Sequence, residues 1–183
     1  MVFDTTFRKL SLAERRALLD LGIPVRARPG DVIVRQGSRL NGIYVVLKGE
    51  VRVEHGIQVV RQIVVKQDGG DAVKEMPGRL SVEVTRLGRG AIFGEMSFVD
   101  DAPTSATVTA TTEVEATFID GGKVHELLEG DPALAARFYH SLAIVLSGRL
   151  REANKQARGT RPRGPAIPRP DGAPTPGDPD KPA

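Results

Sequence analysis

The stretch "FGEMSFVDDAPTSATV", residues 93–108, has the residue types and spacing best suited to chemistry. It reads as a strand end, a tight turn at Gly94, one helical turn, a polar loop and the start of another strand. Such a loop aims several backbone N–H groups at a common point, which suits an anion. Yet where an arginine would complete an anion site the chain has Thr104.

No other constellation competes with it. The chain has no cysteine, which removes disulfides, thiolate nucleophiles and cysteine-based zinc sites and fits a reducing compartment. His55, His125 and His140 lie far apart and show no metal-ligand spacing. Ser97, Ser105 and Ser141 sit outside any Gly-x-Ser-x-Gly elbow. Asp68 to Asp71, "DGGD", lacks the alternating acidic positions and closing glutamate of a calcium loop. An enzyme is not expected, because no acid, base and nucleophile converge.

The elements that must position the loop follow from periodicity. Ser11, three residues before Glu14, has capping-box spacing and opens a helix over residues 12–21. From Val25 to Ile119 the chain runs in short β-branched segments with near period-2 alternation, punctuated by Gly and Asp. About eight strands of this kind predict an antiparallel β jelly-roll barrel. "KQDGGDAVKEMPGR" interrupts the run and reads as an exposed hairpin loop projecting from the sheet. After Asp120 the period turns helical. "GGKVHELLEGD" gives a short helix. Asp131 as N-cap and Pro132 at the first helical position then open a long one, ending near Gln156. Its broad stripe of Leu134, Phe138, Leu142, Val145, Leu146 and Leu150 is wide enough for the barrel and for a second copy of the chain.

The fold class expected is therefore mainly β with flanking helices, one N-terminal and two C-terminal. The divisions are a helical segment over 1–24, the barrel with its helices over 25–156, and a disordered tail over 157–183. That tail holds 8 of the 13 prolines. The net charge is +3, with basic residues spread along the chain, so nucleic acid is weakly indicated at most. No apolar run reaches the roughly 20 residues that span a bilayer, and the start has no signal-peptide core, so a cytoplasmic protein without membrane insertion is expected.

Taken together, "RARPGDVIVRQGSRLNGIYVVLKGEVRV", "LGRGAIFGEMSFVDDAPTSATVTATTEVEATFID" and the Pro-started helix resemble the cyclic-nucleotide-binding domain family, over about residues 10–156. That family includes the catabolite activator protein and the regulatory subunits of protein kinase A. The pattern Gly30, Gly37, Gly49, Gly90 and Gly94 with the "FGE" turn carries the resemblance. It implies a phosphate-binding cassette here. Phe93 ends the strand that leads into it. The N–H groups around Gly94, Glu95, Met96 and Ser97 would face a cyclic phosphate, and Glu95 would accept from the ribose 2′-hydroxyl. Ser105 and the Ala106 N–H would add polar contacts. Leu146, Arg149 and Leu150 on the long helix would act as a lid.

The chain departs from the family pattern Pro-Arg-x-Ala-x-Val at Thr104. A hydroxyl replaces neither the charge nor the fork of a guanidinium. The loss amounts to about 1.5–3 kcal/mol, or roughly 10- to 150-fold in affinity. Arg149, Arg52 and Arg61 are candidate substitutes. Two readings stay open. One is a stand-alone sensor that takes cyclic AMP, cyclic GMP or a related ligand and signals to a protein partner through the long helix. The other is a ligand-free scaffold or dimerisation protein. No helix-turn-helix follows the long helix, so sequence-specific DNA binding is not expected.

Overall fold

The computed structural model describes residues 6–67 and 70–159; side chains at 66–72 and 156–159 are left aside. Four helices and eight strands follow in the order α1 (Leu12–Asp20), β1 (Ile23–Ala27), β2 (Val32–Val34), β3 (Gly42–Lys48), β4 (Val51–Gln67), β5 (Gly70–Leu87), β6 (Ile92–Phe93), α2 (Glu95–Asp100), β7 (Thr107–Ala110), β8 (Val114–Asp120), α3 (Gly121–Glu129) and α4 (Pro132–Gly159). The mainly antiparallel β architecture with flanking helices is as expected, but there is no closed barrel. The strands form two four-stranded sheets, ordered β1-β8-β3-β6 and β2-β7-β4-β5.

Alternation along the strands builds two cores. In β3, Ile43 and Val45 face the helices, while Tyr44 and Val46 face the second sheet. In β6, Ile92 and Phe93 divide in the same way. The helix-side core gathers Phe7, Leu18, Phe98, Val124, Leu134, Phe138 and Leu142. At its centre Phe138 has no exposed surface, stacks on Phe7 at 5.5 Å and meets Phe98 edge-on at 6.0 Å. The inter-sheet core holds Val34, Val51, Phe93, Val108 and Val114.

The helix boundaries follow the capping chemistry. Ser11 and Glu14 form the reciprocal capping box. The Asp131 carboxylate accepts from the Leu134 N–H at 2.9 Å. Glu14 also accepts from Arg137, which ties α1 to α4. Helix α4 runs to Gly159, three residues beyond the expected end. The tail assigned to 157–183 therefore begins inside this helix, and residues 160–183 lie outside the described residues. No helix among the described residues is long and apolar enough to cross a membrane.

One expectation is corrected. "KQDGGDAVKEMPGR" is mostly not a loop. Strands β4 and β5 stay paired from Val51↔Leu87 out to Gln67↔Gly70, with Pro77 opposite Val60 and Met76 opposite Arg61. Strand β5 is the sheet edge, where a residue without an N–H leaves no ladder bond unmade on its open side. Turn-forming residues were thus tolerated inside a strand by its position.

Two consequences can be measured. Phe138→Ala should lower stability by about 3–5 kcal/mol in urea unfolding, the usual cost of emptying a fully buried aromatic site. The Arg137 guanidinium, followed by the Ser11 N–H, holds the Glu14 carboxyl below its usual range. A carboxyl depressed in the folded state contributes stability above its unfolded pKa and loses it as pH falls through the folded value. The stability difference between the native chain and Glu14→Gln should therefore be constant above about pH 5 and vanish progressively below about pH 4.

Candidate ligand-binding cassette

Gly94 closes β6 in the left-handed region, with φ 86°, and caps α2. A Cβ there would lie 2.8 Å from Leu40 Cδ2 and 2.9 Å from the Gly42 carbonyl oxygen. Backbone conformation and space both require glycine. Gly94 supplies no side-chain cap. The first N–H groups of α2, from Glu95 to Ser97, therefore lack intrahelical acceptors. The single helical turn expected here is a six-residue helix.

Glu95 is only 2% exposed. Its Oε1 accepts from Arg149 Nη1, and Arg149 Nη2 donates to the Ile92 carbonyl. The long helix thus reaches the cassette through one guanidinium bound to two acceptors. The two ends of the pair differ in burial: the Arg149 side chain keeps about a third of its surface exposed, at 32%. A buried carboxylate stripped of its partner costs more than a partly solvated arginine stripped of its own.

The other expected residues divide. Phe93 is core and stacks on Tyr44 at 4.7 Å. Ser97 is buried and Met96 exposed, with the Met96 sulfur 3.7 Å from the Ser105 hydroxyl. The Ser105 carbonyl lies 2.8 Å from His55 Nδ1, and Ala106 is half-buried ahead of β7. Leu146 is half-buried and Leu150 exposed. Asp100 and Asp101 face solvent.

Thr104 is buried against the turn after β2. Its hydroxyl donates to the Arg35 carbonyl at 2.6 Å and accepts from the Ser38 N–H at 3.1 Å. Its own N–H and carbonyl bond Ser38 O at 2.9 Å and Gly37 N at 2.8 Å. Thr104 therefore braces the cassette against the turn after β2. Of the three substitute cations, only Arg149 reaches the cassette. Arg52 pairs with Glu54 at 3.1 Å, and Arg61 lies out along β4 beside Gly78. Sequence reasoning missed the Ile92 carbonyl, the Arg35–Ser38 turn and His55 as partners. They are main-chain or distant groups, and no sequence spacing marks them.

Two surface cavities, of about 490 and 210 Å³, are lined by residues outside the 93–106 segment. Among the described residues no group of three or more His, Cys, Asp or Glu could hold a metal ion.

Comparison with known proteins agrees with this architecture. The model of the cyclic nucleotide-binding domain matches residues 24–131, more than half of the chain. Cyclic GMP-binding protein C of Dictyostelium discoideum is 29% identical over 130 residues, which are 69% of this chain and 4% of that protein. The type II regulatory subunit of cAMP-dependent protein kinase from Drosophila melanogaster is 30% identical over 116 residues, 63% of this chain and 26% of that protein. The chain thus corresponds to a small part of these relatives. Among solved structures, a cyclic nucleotide-binding domain from Methylobacillus flagellatus superimposes with TM-score 0.67 at 23% identity, covering 86% of this chain and 78% of the other. The catabolite activator protein of Thermus thermophilus does so with TM-score 0.61 at 26% identity, over 84% and 62%. With the family model spanning the roll, the cassette and α3, the chain belongs to the cyclic nucleotide-binding domain family.

Proposed function

We propose that the chain is a regulatory module that takes a cyclic nucleotide at the 93–106 cassette, weakly or in a non-standard way, or a related small ligand, and signals through α4 to a protein partner. The observation that carries this reading is the Arg149–Glu95 pair. A ribose hydroxyl arriving at Glu95 competes with Arg149 for the same carboxylate. Occupancy and the position of α4 are then coupled through one side chain. Relatives whose names record cyclic GMP binding or dependence on cAMP support the ligand class. The open N–H groups of α2 support a polar or anionic group at Gly94 to Ser97.

A second reading, a ligand-free scaffold, is favoured by Thr104. Its hydroxyl is engaged by the turn after β2, and no guanidinium stands in its place. A homodimer through the 132–156 helix is compatible with either reading.

Calorimetric titration with cyclic AMP and cyclic GMP decides between them. Under the sensor reading the native chain binds, and Glu95→Gln binds at least about tenfold more weakly, the loss of one charge-assisted bond. Thr104→Arg should gain an order of magnitude or more. If the native chain is silent and Thr104→Arg binds, the cassette is disarmed at one residue. Silence from both supports the scaffold. Light scattering checks the assembly: the native chain is expected at twice the monomer mass and Leu150→Glu at the monomer mass, and a native monomer at high concentration would refute the helix seam.

A further inference from the structure

Strands β4 and β5 leave the roll as a two-stranded ribbon. Antiparallel register and strict alternation along β4 assign its faces. The face that Val51 buries in the inter-sheet core continues outward through Ile57, Val59 and Ile63 on β4, and through Val82, Leu80 and Met76 on β5. Val59 is half-buried; the other five are 38–46% exposed. Observed contacts agree with the assignment. Arg61 lies against Gly78 on this face, while Gln62 donates to Glu75, and Arg79 lies against Gly56, on the opposite one.

No described carboxylate lies on this face. Among the described side chains the ionisable groups on the apolar face are His55 at its base, then Arg61 and Lys74 further out. Arg61 is on one strand and Lys74 on the other, and neither makes an ion pair with a described residue. The opposite face carries both signs, Glu54, Glu75 and Glu83 with Arg52, Arg79 and Arg86, and the exposed Val60, Val64 and Val73. A two-stranded ribbon alone is marginal in water, and a continuous exposed apolar face marks an interaction surface.

We propose that this face docks an amphipathic helix of another protein, whose apolar stripe is bordered on both sides by carboxylates. The apolar stripe of such a helix covers Ile57, Leu80, Met76 and Ile63, and its margins meet Arg61 on one strand and Lys74 on the other. A helix about 10 Å across matches two strands about 4.8 Å apart with their side chains. A second copy of the chain fits poorly. Face-to-face packing would set Arg61 and Lys74 against their own kind, and edge pairing at β5 meets Pro77, which has no N–H to give. A bilayer is disfavoured because residues 54–83 contain no Trp, Tyr or Phe, the residues that anchor a surface at the headgroup level.

The test uses the full chain and a fluorescent synthetic helix of about five turns, with leucines at helical spacing and glutamates along both margins. A second peptide carries lysines at the margins. Anisotropy should show the glutamate peptide bound and the lysine peptide at least tenfold weaker. R61E/K74E, two exposed positions whose change leaves thermal unfolding unaltered, should reverse that preference, and Met76→Asp should abolish binding of both. Equal binding of the two peptides, or binding of neither, overturns the proposal. So does uptake by phosphatidylserine vesicles in place of the peptide, or a doubling of mass that Met76→Asp removes, which would assign the face to a lipid surface or to a second copy. None of these readouts depends on a cyclic nucleotide.

Discussion

A carboxylate taken out of water must be paired, and in this protein that requirement falls on Glu95. The segment around it, from Phe93 to Val108, contains no Lys or Arg, and the cation that pairs with it comes from α4. Helix α4 must therefore pass close enough for Arg149 to reach both Glu95 and the Ile92 carbonyl. The aromatic seam of Phe7, Phe98 and Phe138 holds the earlier turns of the same helix on the roll and so sets its course. His125 of α3 stacks on Phe98 at 4.8 Å, so the short cassette helix is packed against both α3 and α4. Gly94 is the remaining element: only its left-handed backbone lets β6 turn into α2 with Glu95 directed inward.

Much of this was legible in the sequence because it rests on local chemistry. Ser11, Asp131 and Pro132 act through neighbours three or four residues away. The five glycines that carried the family resemblance all adopt positive φ, between 81° and 92°, a property of the residue type itself. What escaped was non-local. The Thr104 hydroxyl is satisfied by groups 66 and 69 residues away, and no pattern in the chain joins them. Arg149 was one of three candidate cations, and only the path of α4 separates it from Arg52 and Arg61. The length of the β4–β5 ribbon was hidden for a related reason. Gly-Gly, Asp and Pro read as turn residues, but Gly70, Asp71 and Pro77 lie in an edge strand, which is a fact of tertiary position.

The molecule thus combines two kinds of order. The roll and its helices are held by two interlocking cores, and a change in one strand is felt in both. The outer part of the ribbon is held mainly by its own cross-strand bonds and pairs, with the local exception of Gln36, whose amide bonds both the N–H and the carbonyl of Gly56 at its base. Stability is accordingly uneven along β4. Val51 is fully buried while Ile57, Val60 and Val64 are exposed, so local opening is expected to be easier toward the outer end.

Helix α4 is one unbroken rod whose buried apolar anchors lie in its first half and whose tie to the cassette is Arg149. Its buried residues Leu134, Phe138 and Leu142 lie in the first half, and residues 150–155 are exposed. From Phe138 to Lys155 the rod is about 25 Å long at 1.5 Å per residue. Were the Arg149 tie released, a pivot of about 10° at Phe138 would carry the far end through about 4 Å. The geometry acts as a mechanical amplifier. A displacement too small to disturb the packing of an aromatic ring becomes, at the solvent end, a shift comparable to the spacing between neighbouring strands.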